Sequence, residues 1–122
     1  MKKESREINL LELVPVHNLR WEKNEEGLIT LLKPKYRHSL LRKHLLPRMK
    51  KPYYRVRLDA IGSYIWESCD GKRKVRQVGE MLRDRFGEEV QPLYERLSSF
   101  LHSLEKNDFI YFEGLPQKRP PN

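Results

Sequence analysis

The sequence contains few of the groups from which catalytic and metal centres are built. Cys69 is the single cysteine among 122 residues, which excludes an internal disulfide or a site held by several thiolates and fits a reducing compartment. Its place at the apolar end of a predicted helix favours a structural thiol over a nucleophile. The histidines are scattered, with no i, i+4 pair to hold zinc: His17, His38, His44 and His102. We therefore predict no metal, no cofactor, no catalytic residue and no enzymatic activity.

Long apolar runs are also absent. No stretch approaches the roughly 20 apolar residues that span a bilayer, and the polar start of the chain has no sustained apolar region of the kind found in signal peptides. This predicts a cytoplasmic protein without a transmembrane segment. The 122 residues, of which 38% are hydrophobic and 34% charged, suit one globular domain. We place this domain at residues 15–113, after an N-terminal segment 1–14 and before a polar tail 114–122.

Positive charge is concentrated in one part of the chain. The formal net charge is +8, and residues 33–58 contain ten of the 25 Lys and Arg residues but no Asp or Glu. The other 15 basic residues are outnumbered by the 17 acidic ones. Most of the ten cations lie in a basic insertion, residues 34–52. A cationic loop can bind nucleic acid, an anionic membrane surface or an acidic partner, and its composition does not choose among them.

Short strands are predicted in the first half of the chain. Alternating apolar and charged residues at 17–23 and at 28–33, joined by a turn at 24–27, indicate a hairpin. Residues 53–58 alternate in the same way and indicate a third strand. Three of its side chains are predicted to face inward, Tyr54, Val56 and Leu58, and three outward, Tyr53, Arg55 and Arg57.

Helical turns are expected at two places around these strands. Residues 8–14 are predicted to form a short helix that stops before Pro15, because the residue preceding a proline is pushed out of the helical region. In the basic insertion, one or two helical turns are expected before Pro47 and a loop after it, since proline removes a backbone donor.

Three longer helices are predicted to follow the third strand. Asp59 occupies the N-cap position of the first helix, and Gly71 closes it. Helical spacing of apolar residues indicates a second helix at 75–87 and a third at 90–107. A short closing strand is expected at 109–112. These elements predict an α+β fold that is winged helix-turn-helix-like, with a three-stranded antiparallel sheet followed by three helices.

A recognisable motif spans the first predicted helix. It reads Leu58-Asp59-Ala-Ile-Gly62-Ser-Tyr-Ile-Trp66-Glu-Ser-Cys-Asp70-Gly71. This motif resembles the signature of the PqqD family of pyrroloquinoline quinone biosynthesis, in which Leu-Asn or Leu-Asp opens a helix that ends in Cys-Asp-Gly. The family pattern continues through residues 75–87, 96–101 and 104–110, so the resemblance covers about half of the chain.

The resemblance implies a peptide chaperone. Domains of the PqqD family recognise the leader of a ribosomally made precursor peptide and present it to a modifying enzyme, often a radical SAM protein. The leader docks there as an added strand beside the third strand, in a cleft shared with the third helix. An exposed strand edge suits this role because its free backbone groups can pair with any extended peptide. The predicted peptide contacts are Tyr53, Arg55, Val56 and Arg57 on the strand and Tyr94, Arg96, Phe100 and Leu101 on the helix.

One departure from the family pattern bears on the partners. PqqD proteins join the second and third strands by a short turn, whereas residues 34–52 intervene here. The identity of the leader and of the maturation enzyme is therefore left open.

Some of the selected residues also have plainer interpretations. Charged side chains on a strand edge deter aggregation, and helical stripes are buried first, so Trp66, Leu97 and Phe100 are better explained as core residues.

The alternative function is a winged-helix nucleic-acid-binding protein that uses the basic segment 33–57. The pI of about 9.7 permits it. The third predicted helix argues against it, because residues 88–108 carry five acidic and two basic side chains. Phosphate contacts require cations, so such a helix would be repelled by a nucleic-acid backbone.

Overall fold

The computed structural model describes residues 9–35 and 43–115. The described chain contains, in order, β1 (Val14–His17), β2 (Arg20–Lys23), β3 (Ile29–Pro34), β4 (Tyr53–Arg57), α1 (Ala60–Ser68), α2 (Val75–Phe86), α3 (Leu93–Lys106) and β5 (Ile110–Glu113). Strands β2, β3 and β4 form an antiparallel sheet in that order. The predicted α+β fold, a three-stranded antiparallel sheet followed by three helices, is confirmed.

The three-stranded sheet has one buried and one open face. On β3, Ile29 and Leu31 are fully buried, Thr30, Leu32 and Lys33 are partly exposed, and Pro34 is buried at the end of the strand. Strand β4 continues directly into α1, which packs beneath the buried face with Ile65 and Trp66 in the core. Ile29 and Leu31 on β3 therefore follow the period-two alternation predicted from the sequence, whereas all four residues of β2 are exposed.

Local signals set the helix ends, as predicted. The Oδ1 atom of Asp59 accepts a hydrogen bond from the Gly62 N–H at 2.7 Å and caps α1. Beyond the end of α1, Gly71 has a φ of +79°, a conformation that glycine adopts without steric cost. Its N–H donates to the carbonyl oxygen of Pro15 at 3.0 Å, so the turn after α1 is joined to β1.

The core is built mainly by the helices. Trp66 and Leu97 are fully buried, which confirms their interpretation as core residues. Phe100 is half-buried and packs against the same cluster. None of the helices within residues 9–35 and 43–115 has the length and apolar composition that a bilayer crossing requires.

The N-terminal region corrects the predicted helix at 8–14. Residue 8 lies outside the described residues, and only a 3₁₀ turn at Leu10–Glu12 is helical. Val14 already begins β1, which pairs antiparallel with β5. The physical reason is a long-range one: the backbone groups of β1 are satisfied by a strand near the other end of the domain. The predicted closing strand is present as β5.

Three further features differ from the sequence-based predictions: the start of α3, the exposure of Tyr54 and the turn around Pro47. Helix α3 begins at Leu93 because residues 87–90 form a 3₁₀ turn and Pro92 is extended. Tyr54 is 55% exposed although its strand position faces inward, since it lies past the end of the core. Of the turns predicted before Pro47, the part on residues 39–42 lies outside the described residues, and residues 43–44 are helical. A 3₁₀ turn at 46–48 includes the proline where a loop was expected.

Candidate functional site: the open edge of β4 and the adjoining cleft

Strand β4 lies at the edge of its sheet. It pairs with β3 on one side, and no strand of the described residues pairs with its other side. An edge strand of this kind presents a row of backbone donors and acceptors that another extended chain can bind.

The hydrogen bonds at the two ends of the β3–β4 ladder show which backbone groups face the open edge. The N–H of Leu58 donates to Ile29 O at 2.9 Å, and Pro52 O accepts from the N–H of Lys35 at 3.0 Å. Hydrogen-bonded and non-hydrogen-bonded pairs alternate along an antiparallel ladder. Residues 54 and 56 therefore also form backbone hydrogen bonds with β3. The backbone groups of the three intervening residues therefore point away from β3, toward the open edge: Tyr53, Arg55 and Arg57.

The outer face of β4 is cationic. Nη2 of Arg55 lies 2.5 Å from Oε1 of Glu22 on β2, with both side chains about half exposed. The hydroxyl of Tyr53 accepts a hydrogen bond from Arg20 at 3.1 Å. Arg57 forms no ion pair with any described residue. This face therefore holds one arginine that has no ion-pair partner among the described residues and one whose exposed pairing is weak.

The inner side of β4 is apolar and leads into the core. Val56 and Leu58 are partly buried and pack against the core cluster. Tyr54 extends beyond it, with Nζ of Lys35 at 5.3 Å from the centre of its ring. The two sides of β4 thus differ in chemistry, cationic on the outside and apolar on the inside.

A cleft of about 550 Å³ opens beside the junction of β4 and α1. Its walls come from the start of α1, the end of α2 and one flank of α3, and the lining residues are Asp59, Ile61, Gly62, Ile65, Leu82, Val90, Glu95, Arg96, Leu97, Ser99, Phe100 and Ser103. The ring of Phe100 reaches the junction itself, because a Cβ atom added at Gly62 would lie 3.4 Å from that ring and 3.5 Å from the Leu58 Cβ. The cleft therefore adjoins the end of the open edge.

Two of the four residues predicted on the third helix line this cleft. Phe100 contributes its half-buried ring, and the guanidinium of Arg96 donates to the Glu89 carbonyl oxygen at 2.8 Å. Tyr94 lies on the opposite flank of α3, packed against Gly79 of α2. Leu101 is fully buried in the core and is not accessible at the surface. The structure therefore brings Arg96 and Phe100 to the cleft, with Phe100 at the junction of β4 and α1, but not Tyr94 or Leu101.

Other cleft residues were not selected from the sequence. Ile61 lines the cleft from α1, and Ser99 and Ser103 line it from α3. The signal for the serines was present, since residues 96, 99, 100 and 103 share one flank of a helix by their spacing. What the spacing could not supply is which flank of α3 faces β4.

The cysteine has the surroundings of a structural residue. Cys69 is fully buried, and its Sγ donates to the carbonyl oxygen of Ile65 at 3.3 Å. Burial, with a smaller contribution from the charge of Asp70, raises the pKa of the thiol to about 12. Within residues 9–35 and 43–115, no group of three or more His, Cys, Asp or Glu side chains is arranged to hold a metal ion.

The decisive comparison concerns the segment that builds this site. Residues 51–110 match the model of the family described as coenzyme PQQ synthesis protein D (PqqD). Over these residues the chain belongs to the PqqD family. The PqqD match starts just before β4 and ends at the first residue of β5, so it includes the open edge and the whole of the cleft. The resemblance inferred from the motif at 58–71 is thereby confirmed.

PqqD is an accessory family of coenzyme PQQ synthesis, which is consistent with a non-catalytic role. The hairpin of β2 and β3 and most of the basic insertion lie outside the PqqD match. No curated protein and no solved structure matches the chain significantly.

Proposed function

We propose that this protein captures the leader of a ribosomally made precursor peptide by adding it as a strand to β4, and presents it to a modifying enzyme of the radical SAM type. The observation that carries the proposal is the open edge of β4 beside the cleft between α1 and α3. Membership of the PqqD family supports it.

Backbone pairing supplies the affinity in this mechanism. Tyr53, Arg55 and Arg57 each offer an N–H and a C=O toward the open edge, and an extended peptide can satisfy them whatever its side chains. Selectivity then comes from side chains that enter the cleft. Strand addition holds the bound part of the peptide in an extended conformation. The modifying enzyme can then reach the peptide residues that flank the bound part.

The proposed contact set is narrower on α3 than the sequence indicated. Arg96 and Phe100 act directly, whereas Leu101 supports the cleft from the core and Tyr94 fixes the packing of α3 on α2. On the strand, Tyr53, Arg55, Val56 and Arg57 are retained. The protein itself performs no chemistry in this proposal, and the modification is carried out by the partner enzyme in the cytoplasm.

The proposal is tested with a peptide encoded by a short reading frame next to the gene of this protein, especially where a radical SAM gene also adjoins. Calorimetry should give saturable one-to-one binding of this peptide and none of a peptide with the same composition in scrambled order. Equal binding of both peptides, or a gene with neither neighbour, would argue against leader capture.

A further inference from the structure

The two sides of β4 set different conditions for a bound strand. Side chains alternate between the two faces of a sheet, in parallel and antiparallel pairing alike. Every second side chain of an added strand would therefore lie over the apolar inner side with Val56 and Leu58, and the remaining ones beside the outer face with Tyr53, Arg55 and Arg57.

The outer positions favour carboxylates. Arg57 has no acidic partner among the described residues, and the pairing of Arg55 with Glu22 is between two half-exposed side chains, which makes it weak and exchangeable. The surrounding sequence strengthens this field, because residues 33–58 contain no acidic residue. Residues that lie directly opposite across a strand pair have Cβ atoms about 4.5–5.5 Å apart, close enough for an ion pair.

The inner positions favour apolar side chains. They point toward the junction of β4 and α1, where Leu58, Ile61 and Phe100 are all only partly buried. Arg96 is the cation in the lining of the cleft, and its guanidinium is already held by the carbonyl oxygen of Glu89. An apolar side chain can complete the burial of the three neighbours without leaving an unpaired charge.

We infer that the peptide accepted by β4 alternates acidic and apolar residues, with the carboxylates beside Arg55 and Arg57 and the apolar side chains in the cleft. This inference rests on the proposed strand addition and adds the chemical class of the ligand. Each carboxylate opposite an arginine should strengthen binding by about 1.4- to 5-fold, and two of them together by about 2- to 30-fold.

The test uses four synthetic peptides of equal length. One alternates Leu and Glu, the second Leu and Gln, the third Leu and Lys, and the fourth has the composition of the first in a repeated Leu-Leu-Glu-Glu order. The alternating Leu/Glu peptide should bind tightest, the Leu/Gln peptide about 2- to 30-fold more weakly, and the Leu/Lys peptide more weakly still. The Leu-Leu-Glu-Glu peptide should bind more weakly than the first, since it cannot place all its carboxylates on one face.

A charge reversal identifies the partner of the carboxylates. In Arg57→Glu, the Leu/Lys peptide should gain affinity and the Leu/Glu peptide should lose it. Lys72→Glu is the matched control, because it makes the same change of net charge on the exposed turn between α1 and α2, and it should leave the order of the four peptides unchanged.

Failure of the inference can be told from failure of strand addition. N-methylation of the Leu/Glu peptide at each of two consecutive central residues should abolish binding at one of them, because alternate N–H groups face β4. If N-methylation weakens binding but the Leu/Glu and Leu/Gln peptides bind equally, or Lys72→Glu acts like Arg57→Glu, the acidic preference is wrong and strand addition stands. If N-methylation has no effect, or no peptide binds at its highest soluble concentration, both are wrong.

Discussion

Arg55 and Leu32 lie directly opposite each other on β4 and β3 without exchanging backbone hydrogen bonds. The register pairs them, and the bonds at both ends of the ladder fall on the alternate residues of β4. The N–H of Arg55 is consequently directed to the open edge, at the middle of the row of three residues that an added strand would meet.

Replacing Arg55 with proline should abolish peptide binding while the fold is retained. Proline removes a donor that β3 does not use, and proline is tolerated in edge strands when its missing N–H faces away from the ladder. The measurements are the melting temperature and the affinity for a bound peptide. Arg55→Ala separates the loss of the guanidinium from the loss of the donor and should weaken binding by no more than about 5-fold.

Val56→Pro is the matched control for this variant. The N–H of Val56 belongs to the set that pairs with β3, so its removal should lower the melting temperature clearly. A folded Arg55→Pro protein with full affinity for the peptide would contradict binding at this edge.

Asp59→Ala should destabilise the protein by about 1 kcal/mol, because α1 loses the carboxylate that accepts the Gly62 N–H. Asp59→Asn keeps an acceptor at the same position and should restore most of the stability, which urea unfolding can measure. Asp59 also lines the cleft. If Asp59→Ala unfolded like the parent but lost the peptide, the residue would be a contact and not a cap.

The N-terminal 3₁₀ turn is attached to α2 through Glu12, and this attachment should depend on pH. Hydrogen bonds from Arg76 and Lys74 lower the pKa of Glu12 from 4.5 to about 2. Since the pKa is lower in the folded state, the carboxylate stabilises the protein above about pH 4.5, and this contribution is lost as the pH falls toward 2.

The melting temperature of Glu12→Gln should therefore lie below that of the parent at neutral pH. This difference should disappear as the pH falls from 4.5 to 2. Added salt should narrow it as well, because the ion pairs are exposed. Glu25→Gln, an equal change of charge on the turn between β2 and β3, should show no such pH-dependent gap. A constant difference at every pH would mean that Glu12 acts by packing alone.

Salt dependence distinguishes a peptide ligand from nucleic acid. Neutralising about 6 to 10 phosphates would cost a factor of about 10³ to 10⁵ in affinity between about 50 and 200 mM salt. The affinity for the peptide should fall by no more than about 2- to 30-fold, which is the contribution of two exposed ion pairs. Replacing the exposed Lys43, Lys50 and Lys51 with Gln should spare the peptide and remove any affinity for nucleic acid. Loss of the peptide in this variant would favour an electrostatic binder built on the insertion.

The parts of the fold that sequence could predict are those with local causes. The cap at Asp59, the glycine after α1 and the apolar spacing of α2 each act within a few residues, so the sequence could predict the ends of α1 and α2. The sequence could not predict the pairing of β1 with β5, because Val14 and Glu113 meet only through the tertiary fold. Local periodicity assigned that region to a helix instead.

The candidate site also has features that the sequence could predict and features that it could not. Alternation along β4 correctly predicted that Val56 faces inward and Arg55 outward. Helical spacing could group Arg96 with Phe100 but could not tell which flank of α3 meets the junction of β4 and α1. Tyr94 and Leu101 share the helix with them, yet one packs on α2 and the other is buried in the core.

Amide hydrogen exchange along β4, with and without a bound peptide, tests the central claim most directly. Strand addition predicts an alternating response. The amides of Tyr53, Arg55 and Arg57 should become protected on binding, while those of Tyr54 and Val56, which already pair with β3, should change little. Equal changes at all five amides, or protection confined to residues 43–51, would contradict peptide capture at this edge.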